Sequence, residues 1–413
     1  MNLAFVLHLY QPTTQSESAF RAVVAECYLP LLKLLKNKNN CAFTLNVSLG
    51  ILEQFEKYGY DELLHLLKDL VESEKVELTG SAAYHPLLTK LSEDYVYQQI
   101  ILDEYALGYY FGSHQGFEGE NSILIKNIKG FFSPEMAINK DLIKVLDDLK
   151  YEWVLADSSA IVEKKNTCLY KLGDLHTSIV ARDTALSNML AFKRDSNVDD
   201  VVHYIMNDVA DQESVVVVLD GETFGHHNKE GILLLELLIE KLHQINVDIV
   251  TVSTMIAGTE SETIDDINET TWAFTPDKPK DIYRFWNING NEIHSLFWKL
   301  HKIVTDPAVL PVINIFEEGN ETVPIWIPAE LKAINNAKYA EIITLQLEIL
   351  KSMQSDKFWW ASNMTVYDKL LYSPIMIENA VVIYQNIADM INDEKISTEI
   401  KDICSKILGN IVR

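Results

Sequence analysis

Polar residues gather at one kind of place in this sequence, immediately after short apolar runs. Leu3–Leu7 leads into His8-Leu9-Tyr10-Gln11-Pro12, and Val76–Thr79 into a segment ending Tyr84-His85-Pro86. Gly130–Phe132 leads into Ser133-Pro134-Glu135-Met136, and Trp153–Ala156 into Asp157. Ser178–Ala181 is followed by Arg182-Asp183, and Val215–Leu219 by Asp220-Gly221-Glu222. Histidines and carboxylates in such number suit acid–base chemistry. Each one alone reads equally well as a helix cap or a solvated loop residue, Glu135 for instance as a cap for a helix starting near Asp141. Their recurrence at successive run ends is what points to a site.

Two carboxylates stand out. Glu135 follows a buried-type Phe131-Phe132 pair and Pro134, which fixes the backbone before it. Asp220 closes one of the most apolar runs in the chain. Two carboxyl groups about 5–5.5 Å apart across a glycosidic bond can serve as nucleophile and acid/base, provided that their pKa values diverge. Glu222, two residues on, points to the same side of an extended strand as Asp220 and is placed to repel it or to bind a sugar hydroxyl.

The elements that must position these residues are legible as a pattern. The runs above, with Ala42–Val47 and Val247–Val252, read as strands buried on both faces. Between them lie helical periods at Ala19–Leu35, Tyr60–Glu72, Glu93–Gly108, Asp141–Leu149 and Gly231–Gln244. Such alternation implies parallel strands joined by crossover helices, and the number of units predicts an incomplete (β/α)7 TIM-like barrel over residues 1–260. In a barrel the C-terminal strand ends meet on one face, where His8, Gln11, His85, Glu135, Asp157, Asp183, Asp220 and Glu222 would ring a pocket. Residues 261–413 change character. An acidic loop-like stretch, Thr259–Thr270, gives way to helical periods at Glu292–Thr305, Pro328–Gln354, Met364–Ile391 and Ser397–Ile411, with proline-bearing breaks at Pro307–Pro311 and Pro324–Pro328. They predict a C-terminal α-helical region that completes the cleft.

Composition limits the partners. With 35 Lys and Arg against 60 Asp and Glu among 413 residues, the formal charge is −25, which disfavours nucleic acid and anionic membrane surfaces. The four cysteines form no Cys-x-x-Cys pair, so neither a disulfide scaffold nor a zinc knuckle is expected. The first residues lack the pattern of a secretory leader, and a cytoplasmic location is the expectation. Seven tryptophans include several beside predicted loops, where an exposed ring stacks on a sugar; Trp359 or Trp360 suits the pocket and Trp298 suits packing.

The ordered set His8–Pro12, Glu77–Pro86, Ser133–Ala137, Leu219–Gly225 and Gln354–Trp360 resembles the five motif regions of glycoside hydrolase family 57, the amylase, 4-α-glucanotransferase and branching-enzyme family. Arg182-Asp183 with Ser187, and Trp286 with Asn291 and His294, resemble it too. The resemblance implies an incomplete seven-unit barrel with a helical bundle, retention of anomeric configuration, and neither metal nor cofactor. It implies Glu135 as nucleophile and Asp220 as general acid/base. The expected sugar contacts are His8, Gln11, His85, Trp153, Asp157, Arg182, Glu222, His226, Trp286, Asp356 and Trp359. The two residues between His8 and Gln11, and Tyr84-His85-Pro86 where glucanotransferases tend to carry an acid, favour an amylase-like hydrolase of α-1,4-glucans over a transferase. Two further classes compete. A metal-dependent barrel hydrolase of polysaccharide deacetylase or α-mannosidase type would draft His8, Asp220, His226 and His227 as ligands. A non-catalytic glucan-binding module would leave Glu135 and Asp220 without a role.

Overall fold

The computed structural model describes residues 1–112, 128–192, 197–275, 281–310, 337–366 and 369–412. Trp326, the break at Pro324–Pro328, Pro311 and residues 328–336 of the predicted helix lie outside the described residues.

The chain is mixed α/β with two sheets of largely parallel strands. In the first, the order is β3 (Val76–Thr79), β2 (Phe43–Val47), β1 (Asn2–Leu9) and β8 (Ser214–Asp220), with β9 (Asp248–Ile249) beside the start of β1. In the second it is β10 (Glu262–Ile264), β6 (Leu169–Leu172), β7 (Ser178–Arg182), β5 (Trp153–Asp157) and β4 (Gly130–Phe131), with only β6 antiparallel to its neighbour β7. The sheets meet along two seams. Gly80 N donates to Gly130 O and Phe132 N to Gly80 O, both at 2.9 Å, joining β3 to β4. Between β7 and β8 the backbone link is Asp183 N to Val216 O at 2.7 Å.

Alternation along the strands explains both layers. Ala4, Val6, Val216, Val218, Leu155 and Val180 pack with Phe132, Trp153, Val252 and Met255 in an inner core. Their neighbours Leu3, Phe5, Leu7, Val215, Val217 and Leu219 face outward onto helices, so β1 and β8 are apolar on both faces, as parallel strands must be. The helices answer with apolar stripes, such as Leu63, Leu66, Leu67 and Leu70 on Asp61–Glu72. Gly130 is required where it stands, since a Cβ there would lie 2.0 Å from the Trp153 ring.

Four helices after residue 291, Glu292–Val304, Ala337–Ser352, Pro374–Met390 and Glu394–Gly409, pack with Glu93–Phe111 around Phe297, Leu300, Ile343, Leu350, Ile377 and Tyr384. Helix Glu93–Phe111 also carries two buried acids. Asp103 accepts from Leu49 N at 2.8 Å and Ser81 N at 3.0 Å, and Glu104 accepts from the Tyr151 hydroxyl. Burial pushes both up to about 7. No described helix is long and apolar enough to cross a membrane. The four cysteines are free and buried.

The elements depart from the sequence pattern in places. Val247–Val252 yields only two strand residues, and Val252–Ile256 turns into a short helix that plugs the inner core. Strands β6 and β10 and helices Leu49–Lys57, Thr184–Phe192 and Val198–Asn207 add to those expected. The helix expected at Ala19–Leu35 runs from Glu17 to Asn37 but is interrupted by a π-helical turn, Val24–Tyr28.

Candidate active site

The parallel register brings Thr79, Asn46, His8 and Asp220 side by side at the ends of four strands. Beyond β4, Ser133 Oγ donates to Ala137 O at 2.6 Å and Met136 N to Ser133 O at 2.8 Å, closing a tight turn. Within it Glu135 sits at φ 60°, ψ 14° and Met136 at φ 45°, a left-handed conformation that non-glycine residues rarely adopt and that costs about 1–3 kcal/mol. That strain turns the Glu135 carboxyl inward. Oε1 accepts from Ser355 Oγ and Oε2 from Trp272 Nε1, both at 2.8 Å. Burial and the nearby charge of Asp356 push Glu135 up to about 8; the two donors pull the other way, and Asp220 adds to the rise. The helix Lys140–Asp148 is capped by Asn139, which accepts from Leu142 N at 2.9 Å, so Glu135 is not its cap.

Asp220 ends β8. Burial and Asp356 raise its pKa while Arg182 opposes them. The Arg182 guanidinium is locked in place, with Nε donating to Asp157 Oδ2 at 2.8 Å and Nη1 to Val218 O at 3.1 Å. Asp157 is held below the usual carboxylate range against its own burial, chiefly by Arg182 and then by Ser159. Glu222 lies in the next turn, its Oε1 accepting from Gln11 Nε2 at 2.9 Å and from the Tyr28 hydroxyl. Burial, then the charge of Asp220, raises its pKa. Asp356 completes the set from the C-terminal helical region. It accepts from the Tyr10 hydroxyl at 2.8 Å, and burial pushes it up to about 6. Four carboxyls thus share one cleft with Arg182 at its edge, and protons remain among them at neutral pH.

Two neutral histidines line the same space. His8 Nδ1 is 2.7 Å from Asn46 Oδ1, and Asn46 Nδ2 donates to Thr79 Oγ1 at 3.0 Å. His85 Nδ1 is 3.1 Å from Ser355 Oγ, whose proton goes to Glu135. In both rings Nδ1 is therefore the donor, and Nε2 keeps a bare lone pair. Neither Nε2 has a partner among the described residues, and both are buried. Burial lowers His8 to about 4, and burial together with the neighbouring His8 holds His85 well below its ordinary value, so both are neutral at neutral pH. The rings stack, Phe132 on His8 at 4.8 Å, His8 on His85 at 5.0 Å and His85 on Tyr10 at 4.0 Å, forming an aromatic wall with two hydrogen-bond acceptors in it.

Of the residues expected from the sequence, the structure brings together His8, Gln11, His85, Glu135, Asp220, Glu222 and Asp356, with Arg182 and Asp157 beside them. It does not bring Trp153, which opens β5 at the end away from Asp157, is fully buried, and donates to Ser253 Oγ at 2.9 Å. Trp286 is likewise fully buried, packed on Phe285 and Trp359, and the half-buried Trp359 stacks on Phe285 at 4.4 Å. His226 is 2.6 Å from Glu26, whose carboxylate also takes Lys229 at 2.7 Å, so a half-exposed ion cluster claims it. Asp183 caps Thr184–Phe192, accepting from Leu186 N at 2.7 Å. Sequence reasoning missed Tyr10, Tyr28, Asn46, Trp272 and Ser355. The available signals were Asn46, a polar residue inside an apolar strand, and the places of Tyr10 and Ser355 within two of the quoted motif regions.

The zinc-type donor set is not gathered, because His226 turns to Glu26. Among the described residues no group of three or more His, Cys, Asp or Glu is arranged to hold a metal ion. The family model described as glycosyl hydrolase family 57 matches residues 5–268. The chain belongs to this family. It is 23% identical over 335 residues to a Methanocaldococcus jannaschii protein named "Putative alpha-amylase", covering 71% of this chain and 68% of that one. Its fold is similar to that of a family 57 branching enzyme from Thermococcus kodakaraensis, with TM-score 0.65 and 14% identity over 100% of this chain and 96% of the other. It is also similar to an exo-type maltose-forming amylase from Pyrococcus sp. ST04, with TM-score 0.70 and 13% identity over 97% and 82%. As a family 57 member the chain is a carbohydrate-active enzyme of the glycoside hydrolase and transferase kind. The match ends before Trp272, Ser355 and Asp356, the residues that complete the carboxylate cluster.

Proposed function

We propose that this family 57 protein is a retaining, α-amylase-like hydrolase of α-1,4-glucans, working in the cytoplasm without metal or cofactor. The observation that carries this reading is a buried glutamate held at both carboxyl oxygens, with a second raised carboxyl, Asp220, near enough for its charge to add to the rise of the first. In this proposal the two sheets form an incomplete seven-unit barrel over residues 1–260, and the helices of residues 261–413 close the cleft. Asp220 protonates the glycosidic oxygen while Glu135 attacks the anomeric carbon, giving a glycosyl-enzyme. Asp220 then takes a proton from water, which displaces the sugar from Glu135. Even with Trp272 and Ser355 stabilising its ionised form, burial makes Glu135 the firmer holder of the proton in the free site, and reaction proceeds from the arrangement that has the proton on Asp220. The bare Nε2 atoms of His8 and His85 accept from sugar hydroxyls.

Azide distinguishes the two roles. Glu135→Ala supplied with azide is expected to yield the β-glycosyl azide, and Asp220→Ala the α-glycosyl azide; the reverse outcome would exchange the assignments. Glu135→Gln should lose about a thousandfold or more in turnover of maltoheptaose, and near-normal turnover would sink the mechanism. The branching-enzyme likeness favours a second reading, transfer of the glycosyl unit to another sugar. Product analysis separates them: short sugars alone mean hydrolysis, longer oligosaccharides mean 4-α-glucanotransfer, and new α-1,6 linkages mean branching.

A further inference from the structure

The π-helical turn Val24–Tyr28 lies against the Gly221–Thr223 turn that carries Glu222. A π turn fits one extra residue into a helix and rotates the succeeding turns by about 100°. Here it presents two consecutive buried side chains to the same partner. Cys27 Sγ donates to Gly221 O at 3.1 Å, and the Tyr28 hydroxyl reaches Glu222 Oε1. The fit is close, since a Cβ at Gly225, where φ is +115°, would lie 2.0 Å from Glu26 O. The Tyr28 hydroxyl also lies 3.2 Å from Tyr10 O. It has one proton and can turn. When Glu222 is ionised it donates to the carboxylate, and when Glu222 is protonated it can donate to Tyr10 O instead.

We propose that Tyr28, seated by the π turn, is a positioning residue that biases the proton shared by Asp220 and Glu222 toward Asp220. The argument rests on the reading of Asp220 as acid/base. Two carboxyls that interact closely compete for one proton, and a hydrogen bond donated to one of them favours its ionised form. Tyr28 and Gln11 both donate to Glu222. Among the described residues, the other titratable groups facing the pair include Cys27, a neutral thiol, and, on the Asp220 side, Arg182, Asp356, Glu135 and His8, the register partner of Asp220 on β1. Arg182 and Asp356 act on Asp220 whether or not Tyr28 is present, and Tyr28, together with Gln11, acts on the balance from the Glu222 side.

Tyr28→Phe keeps the ring and removes the hydroxyl. Glu222, already the firmer holder of the shared proton, should then hold it about tenfold more firmly, so the kcat/KM plateau falls about tenfold and the alkaline limb moves up by about one pH unit. In a Glu222→Gln background the same substitution should leave the limb where Glu222→Gln alone puts it. An unmoved limb in folded Tyr28→Phe, or a shift that persists without Glu222, overturns the proposal. Carbon-13 NMR titration of the carboxyls, with Glu222 assigned by its loss in Glu222→Gln, gives a readout independent of turnover: its midpoint should rise in Tyr28→Phe, and an unchanged midpoint overturns the proposal. Should Asp220→Asn keep wild-type turnover, the acid/base reading fails by itself while the titration still tests the seat of Glu222.

Discussion

At the residue scale the site is a set of carboxyls raised by burial and by one another, and Asp356 contributes to the rise of both Glu135 and Asp220. A pair that must hold one proton between them gives a bell-shaped kcat/KM profile whose limbs belong to the pair. Asp356→Asn retains an acceptor for Tyr10 but removes the negative charge, so both limbs should move to lower pH together. A profile that keeps its limbs would show that Asp356 acts by contact alone. Both carboxylates were legible in the sequence because each follows an apolar run that fixes its Cα. Trp272 and Ser355 were not legible as donors to Glu135, because 137 and 220 residues separate them from it and no local pattern encodes such a contact. The tryptophans misled for a related reason. A ring at a run end packs inward as readily as outward, and Gly130 opens the space that Trp153 fills.

At the element scale the strands carrying the site could be read because parallel strands are apolar on both faces, as in Val215–Leu219. The π turn could not be read, since Ala19–Leu35 has an unbroken helical period and the extra residue is absorbed by contact with the Gly221–Thr223 turn. Gly225 is the element-level weak point. Gly225→Ala needs a positive φ and sets a methyl against Glu26 O, so it should destabilise the protein by about 1–3 kcal/mol and loosen Glu222 as well. Thermal unfolding together with kcat/KM would show both effects, whereas Gly173→Ala, with nothing within 4 Å of its Cβ, should cost less and leave activity alone.

For the whole molecule, buried acids make stability depend on pH in an uncommon direction. Asp103 and Glu104 titrate near 7 when folded, above their unfolded values. The folded state therefore binds the extra protons, and the stabilisation present at low pH is lost as pH rises through about 7. The slope reaches up to about 1.4 kcal/mol per pH unit for each group. Melting temperature should fall between pH 5 and 8, and Glu104→Gln, which keeps an acceptor for Tyr151, should flatten part of that fall and raise the melting temperature at pH 8. The attachment of Glu135 to Trp272 and Ser355 also bears on synthesis. A growing chain displays this carboxyl 137 residues before Trp272 and 220 residues before Ser355, so its two oxygens are not both claimed until the chain has passed Ser355. On the proposed mechanism, a nascent chain that has not yet reached Ser355 lacks one of the two donors that favour the nucleophile's ionised form.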